Sequence, residues 1–283
     1  MFKLLKKEIL GESIVRFVID APKIAAKIGP GQFVIVRSDE LGERIPLTVS
    51  DFDREAGTIT LICQTVGAST KRLAMINEGE FIKDVVGPLG KATELDGIKK
   101  VAVIGGGLGC AIAYPQAKYL YNLGANVDII AGFRSADFII LEDDMKAVSN
   151  TLTVLTDDGS SGNKGLVTDG LRKKIEDGAK YDAVIAIGPP VMMKFVSLLT
   201  KEYGIKTIVS MNPIMIDGTG MCGGCRLTVG GETKFACIDG PDFDGHLVDF
   251  DELIRRNGMY REEESCANSK CHTCNLEKVG GAN

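Results

Sequence analysis

At Gly97 the hydrophobic pattern of this chain changes period, so two different fold units follow one another. Before that point apolar and polar residues alternate every second position. "MFKLLKKEIL", "SIVRFVID", "QFVIVRS", "GTITLICQTV" and "GEFIKDVVG" read as strands, separated by Gly, Pro and Asp turns. "STKRLAMIN" is the only helix-like interruption. This spacing predicts a small antiparallel β-barrel over residues 1–96. Beyond it, "KKVAVIGGG" is a buried strand, "LGCAIAYPQAKYLYNLG" a helix ending on a glycine, and the alternation continues to "IKTIVSMN". That predicts an α/β doubly wound nucleotide-binding domain over 97–212. After Pro213 the regular pattern stops. Residues 213–250 form a cysteine-bearing segment, and 251–283 a charged helix with a second cysteine-bearing tail.

The 283 residues suffice for two domains, each with its own core. A formal charge of −5 argues against nucleic acid as the main partner, because phosphate binding needs a basic face. The N-terminus shows no secretory pattern. The longest uncharged stretch, Val101 to Ala117, is Gly-rich and shorter than the ~20 apolar residues of a spanning helix. A cytoplasmic protein is expected.

"IGGGLGCAIAYP" lies between a strand and a helix, where glycines let backbone amides approach a pyrophosphate and the helix terminus favours negative charge. The G-x-G-x-x-G fingerprint is not met: counted from Gly105, its third position is Cys110. No carboxylate ends the second strand either. Asp128 lies within it, and Arg134 follows, either as a ligand for a 2′-phosphate or as a solvated arginine.

Of the eight cysteines, only Cys63 and Cys110 precede residue 220, each solitary in an apolar setting that suits a small buried hydrophobe. Clustering of the rest suits a metal better than crosslinks in a reducing compartment. "DGTGMCGGCRLTVGGETKFAC" spaces Asp217, Cys222, Cys225 and Cys237 as D-x4-C-x2-C-x11-C. This is the plant-type 2Fe–2S spacing with an aspartate in place of the first cysteine. Read from the residues alone, Asp217 is either the fourth ligand or the cap of an Asp-Gly turn, and zinc is the rival metal. Cys266, Cys271 and Cys274 repeat the C-x4-C-x2-C spacing around His272. They suit a metal site, redox-active thiols or a tail without a role.

In the barrel, "RIPLTVS" and "CQTVGASTKRL" offer a guanidinium, a fixed proline, hydroxyls and a helix start. Their order, followed by "GPLG", "GGGLG" and "GPPVMM", resembles the ferredoxin–NADP reductase superfamily. "MCGGCRLTVGG" with "FACIDGPDFDGHLVDFDEL" resembles, more narrowly, the small subunits of NADH-dependent reduced ferredoxin:NADP oxidoreductase, the sulfide dehydrogenase beta subunit-like family. The resemblance runs to about residue 262.

That resemblance implies an FAD site built by Arg44, Pro46, Leu47 and Thr48 and completed by Ile62, Cys63, Gln64, Gly67, Ser69 and Thr70. It implies that Gly106, Gly107, Leu108 and Gly109 face NAD(H), with Gly188, Pro189 and Met192 across the crevice. It also implies a 2Fe–2S cluster on Asp217, Cys222, Cys225 and Cys237. The chain departs from the superfamily at Ile187, where a cysteine is usual, and Cys110 is a candidate substitute. No Ser/His/Asp or Cys/His nucleophilic set is evident, and His246 reads as a packing or hydrogen-bonded residue.

The implied function is an electron-transfer subunit of an electron-bifurcating heterodimer. It would exchange hydride with NAD(H) and single electrons with a larger flavoprotein/iron–sulfur partner, glutamate synthase small-subunit-like. The class 1B dihydroorotate dehydrogenase electron-transfer subunit, which uses four cysteines, and a non-catalytic docking subunit are the alternatives.

Overall fold

The structure is a computed structural model and describes residues 1–269. Strands β1 (Phe2–Gly11), β2 (Ile14–Asp20), β3 (Phe33–Arg37), β4 (Ile45–Asp53), β5 (Thr58–Gln64), β6 (Phe81–Ile82) and β7 (Asp84–Leu89) make one curled antiparallel sheet. Their spatial order is β6-β1-β2-β5-β4-β3-β7. Period-two sequence puts Phe17, Ile19, Ile35, Ile59 and Leu61 out of water at 1% exposure or less. Two helices punctuate the sheet, α1 (Pro22–Ala25) and α2 (Ala68–Ala74). The second is the expected one. The first is a single turn opened by Pro22, whose fixed φ suits a first helical position; one turn is too short to leave a periodic signal.

The second unit alternates β8 (Lys100–Gly106), α3 (Gly109–Asn122), β9 (Asn126–Phe133), α4 (Glu142–Ala147), β10 (Thr151–Thr156), α5 (Val167–Glu176), β11 (Ala183–Ile187), α6 (Pro190–Glu202) and β12 (Lys206–Ser210). These strands are parallel, in the order β10-β9-β8-β11-β12. Buried on both faces, they read as near-continuous apolar runs such as "VAVI" and "AVIAI". The order reverses between β8 and β11, which opens a crevice at their carboxyl ends.

The cysteine segment carries more regular structure than its sequence suggested. It folds into a hairpin, β13 (Arg226–Val229) and β14 (Glu232–Phe235), then α7 (Ala236–Asp239), β15 (Asp242–Asp244) and α8 (Phe250–Asn257). Gly230 and Gly231 both hold positive φ, the requirement of a two-residue hairpin turn that follows the strand twist. Strand β15 pairs antiparallel with β12 and becomes the edge of the α/β sheet. One core then joins all three units: Phe33 and Ile35 of the antiparallel sheet pack with Ile104, Val184 and Val209 of the α/β sheet and with Cys225 and Cys237. The C-terminal helix is not continuous as read from sequence. It breaks at Gly258, a residue poor at sustaining a helix, and resumes over 261–269. Among the described residues no helix is long and apolar enough to cross a membrane.

Candidate functional site

The crevice forms because two glycine-containing turns touch. A Cβ on Gly109 would stand 2.2 Å from the Ile187 carbonyl oxygen, and one on Gly188 3.1 Å from Gly106 Cα. Parallel register sets Gly106 beside Gly132, so Phe133 and Arg134 leave β9 at the level of the glycine loop. The result is a cleft of about 380 Å³ lined by Gly106, Gly107, Leu108, Gly109, Arg134, Gly188 and Pro189, with Thr48 and Gln64 reaching it from the antiparallel sheet. It continues into a larger crevice of about 770 Å³ that adds Met192, Asp157, Thr168 and Arg172. An extended ligand with a ring at one end and a phosphate near its middle would be accommodated end to end.

Other expected residues lie elsewhere. Arg44 is exposed ahead of β4, and Pro46 and Leu47 are half-buried in that strand. Ile62 and Cys63 turn their side chains into hydrophobic cores, so only their backbone can face a ligand. Burial pushes the Cys63 thiol up to about 12. Ser69 donates to Glu43, while Thr70 Oγ1 donates to Gly67 O (3.1 Å) and accepts from Gly67 N (3.2 Å) at the start of α2. Cys110 is 1% exposed and packs under Gly105; it faces the core, not the crevice. Asp128 is buried on Tyr181 (2.8 Å) and Thr151 and lines neither cleft. Sequence reading missed Ile14, Phe133, Phe138, Asp157, Ser210, Met211 and Asn212 in these clefts. Most of them end a parallel strand or just follow one, and that position was a usable signal. Ile14 carried none, because it arrives from β2 of the other sheet.

The cysteine loop follows the same logic of register. The hairpin pairs Arg226 with Phe235, Ala236 N then donates to Cys225 O, and α7 turns the next residue back, so that Cys225 Sγ lies 3.2 Å from Cys237 Sγ, both buried and unlinked. Burial pushes the Cys237 thiol up to about 12, its Cys225 neighbour adding to the shift. Cys237 N also donates to Cys225 Sγ (3.5 Å), and Gly224 N to the exposed Cys222 Sγ (3.4 Å). Asp217 accepts from Thr219 N (2.7 Å) and Cys222 N (2.8 Å), and the Thr219 amide first among these holds its carboxyl below the usual carboxylate range. Asp217 is thus an anion tied to the Cys222 backbone. Positive φ at Gly218, Gly220 and Gly223 gives the loop its path, and a Cβ on Gly218 would meet Ile35 at 2.9 Å, so the loop lies against the antiparallel sheet. The structure gathers two thiols and, separately, the carboxylate with Cys222. Among the described residues no three His, Cys, Asp or Glu side chains already stand at metal-binding distance. The donor set of soft sulfurs with one hard oxygen, on a loop of glycines, fits iron better than calcium or magnesium. His246 bonds Thr200 Oγ1 at 3.1 Å, as a hydrogen-bonded packing residue does. Cys266 is exposed on the 261–269 helix; Cys271, His272 and Cys274 lie outside the described residues.

A curled antiparallel sheet followed by a parallel α/β unit, with a thiol-bearing segment after them, defines a ferredoxin-reductase-like oxidoreductase subunit. Its fold matches ferredoxin–NADP+ reductase of Plasmodium falciparum with a TM-score of 0.59 at 13% identity, over 74% of this chain and 95% of that one. Residues 212–249 match the iron–sulfur cluster binding domain of dihydroorotate dehydrogenase B. The chain is 47% identical over 93% of its length to a dihydroorotate dehydrogenase B (NAD(+)) electron transfer subunit homolog of Thermotoga maritima, covering 92% of it. A chain of the NADH-dependent reduced ferredoxin–NADP oxidoreductase, described in connection with flavin-based electron bifurcation, superposes with a TM-score of 0.90 at 44% identity, over 95% of this chain and 97% of that one. The chain belongs to this family of oxidoreductase electron-transfer subunits, as the cysteine segment indicated. FAD, an iron–sulfur cluster and NAD(H) are the cofactor classes that go with it.

Proposed function

We propose that the chain is the FAD- and 2Fe–2S-carrying subunit of an electron-bifurcating complex, exchanging hydride with NAD(H) and single electrons with a larger flavoprotein/iron–sulfur subunit. The observation that carries this reading is the shared cleft, where Thr48 and Gln64 of one sheet meet the Gly106–Gly109 and Gly188–Pro189 turns of the other. FAD bound there would convert two-electron into one-electron chemistry, and a two-iron cluster would carry single electrons. The residues' part is to hold and orient. Residues 1–96 would hold FAD, with Thr48 and Gln64 at the ring, Arg44, Pro46 and Leu47 along β4, the backbone of Ile62 and Cys63, and Gly67, Ser69 and Thr70 at the start of α2. Residues 97–212 would hold NAD(H), with the glycine backbone against its pyrophosphate and Arg134 and Met192 along the crevice. Residues 213–250 would hold the cluster through Asp217, Cys222, Cys225 and Cys237. Reduced thiol ligands suit a cytoplasmic setting.

Purification with bound partners tests this reading. A flavoprotein that oxidises NADPH and reduces ferredoxin should co-purify, and NADH should reduce this chain's flavin more efficiently than NADPH. Asp217→Cys should keep a two-iron chromophore with a shifted potential. A dihydroorotate-oxidising partner would instead establish the pyrimidine-linked role of the relatives. Asp217, in place of the fourth cysteine expected of a class 1B dihydroorotate dehydrogenase subunit, favours the bifurcating reading.

A further inference from the structure

Two arginines converge on the cysteine loop. Arg226 Nη1 donates to Gly223 O (3.2 Å) and Arg256 Nη2 to Gly224 O (3.2 Å), and these consecutive carbonyls lie between Cys222 and Cys225. Arg256 comes from α8, which is anchored independently: Asp249 caps it through Glu252 N (2.9 Å), Glu252 accepts from Thr228 N of β13 (2.9 Å), and Leu253 is buried in the shared core. Arg256 follows Glu252 by one helical turn, so the same face that grips the hairpin presents the guanidinium to the loop. Among the described residues neither arginine pairs with a carboxylate, although the chain carries a net charge of −5. Arg256 Nε–H is buried with no hydrogen-bond partner. Its direction is set by the planar guanidinium once Nη2 is engaged, so a donor in a fixed orientation is left over beside the loop. A buried unpaired donor is costly and calls for an acceptor.

We propose that Arg256, supported by the more exposed Arg226, is the charge-compensating and positioning residue of the two-iron centre. This rests on the cluster assignment above. Three thiolates and a carboxylate around an oxidised 2Fe–2S core leave a net dianion, and one-electron reduction makes it a trianion. A fixed neighbouring cation stabilises the trianion more, so Arg256 raises the reduction potential. It also ties the loop to α8, which holds Cys222 and Cys225 at their spacing.

The test uses the full-length chain with its cofactors, with iron and sulfide content measured first and the potential then taken from an EPR-monitored titration. Arg256→Gln should lower the one-electron equilibrium constant for reduction roughly tenfold, ~59 mV, while the molecules that keep a cluster keep two irons. Arg256→Lys should restore most of that loss, and Arg226→Gln, in solvent, should shift it less. An unchanged potential in Arg256→Gln, or a fall in Arg256→Lys as large as in Arg256→Gln, would overturn the proposal and leave a loop-holding role alone. If Arg256→Gln fails to retain a cluster, Arg256→Lys decides: a retained cluster with a near wild-type potential supports compensation, and a lost cluster or lowered potential refutes it. Wild-type protein that holds no two-iron centre would defeat the cluster assignment instead.

Discussion

Replacing Asp242 with asparagine isolates a carboxyl whose Oδ1 is buried at the junction of the three units. Asp242 opens β15 and pairs in register with Ser210 of β12. Its Oδ2 accepts from Thr93 Oγ1 (2.5 Å) in the connection between the sheets, and its Oδ1 is buried without a partner. Burial dominates and raises its pKa from 3.8 to about 6, against the lowering bonds from Ser210 and Thr93. The native state therefore keeps the proton where the unfolded chain has lost it. The associated stability is fully present below the unfolded value and is lost as pH rises through the folded value near 6. A shift of this size corresponds to about 3 kcal/mol at ~1.4 kcal/mol per pKa unit. Asparagine reproduces the neutral acid, with an amide N–H able to donate to Thr93 Oγ1 and leave that hydroxyl's proton for Pro30 O. Urea unfolding of wild type and Asp242→Asn, both with the same cofactors bound, should be compared at about pH 4.5, 6 and 8. Because pH 4.5 already lies above the unfolded value, the variant's stability relative to wild type should rise by ~2 kcal/mol from the lowest to the highest pH, with unchanged m-values. A stability difference that stays flat across this range would refute the burial argument.

The glycine turns give a contrast between neighbours. Gly109→Ala places a methyl 2.2 Å from the Ile187 carbonyl oxygen, backbone against backbone, and should cost ~1–3 kcal/mol or more in thermal or urea unfolding. Gly106→Ala meets the thioether of Met192 at 2.5 Å, a flexible group that can yield, so folding should survive while NADH binding measured by calorimetry weakens. For cysteine reactivity, the exposed Cys222 and Cys266 should be alkylated early in protein stripped of iron. Cys63 and Cys110, with thiols pushed up to about 12 by burial, should resist until unfolding, as read by mass spectrometry. Cys225→Ser and Cys237→Ser should each abolish the two-iron spectrum without removing flavin absorbance, because the thiol pair sits outside the cleft of Thr48 and Gln64.

Local patterns were legible because they record the neighbourhood of each residue along the chain. The period change at Gly97 separated the two sheets, the glycine run located the crevice, and the spacing of Asp217, Cys222, Cys225 and Cys237 marked the loop. One-turn elements such as α1 and the short β15 left no such trace. Whatever depends on which strands become neighbours was out of reach. Hairpin register brings Cys225 to Cys237, sheet order brings Thr48 and Gln64 to a loop more than forty residues further along the chain, and α8 packing brings Arg256 onto Gly224 O. Cys63 and Cys110, solitary in apolar stretches and read as small buried hydrophobes, do lie in the cores, because an apolar neighbourhood along the chain is a short-range signal. Sequence alone determined the kinds of units and the chemistry they carry, because backbone periodicity and ligand spacing are short-range. The tertiary structure decided which of those side chains meet, because contacts between distant segments are selected by the packing of a common core.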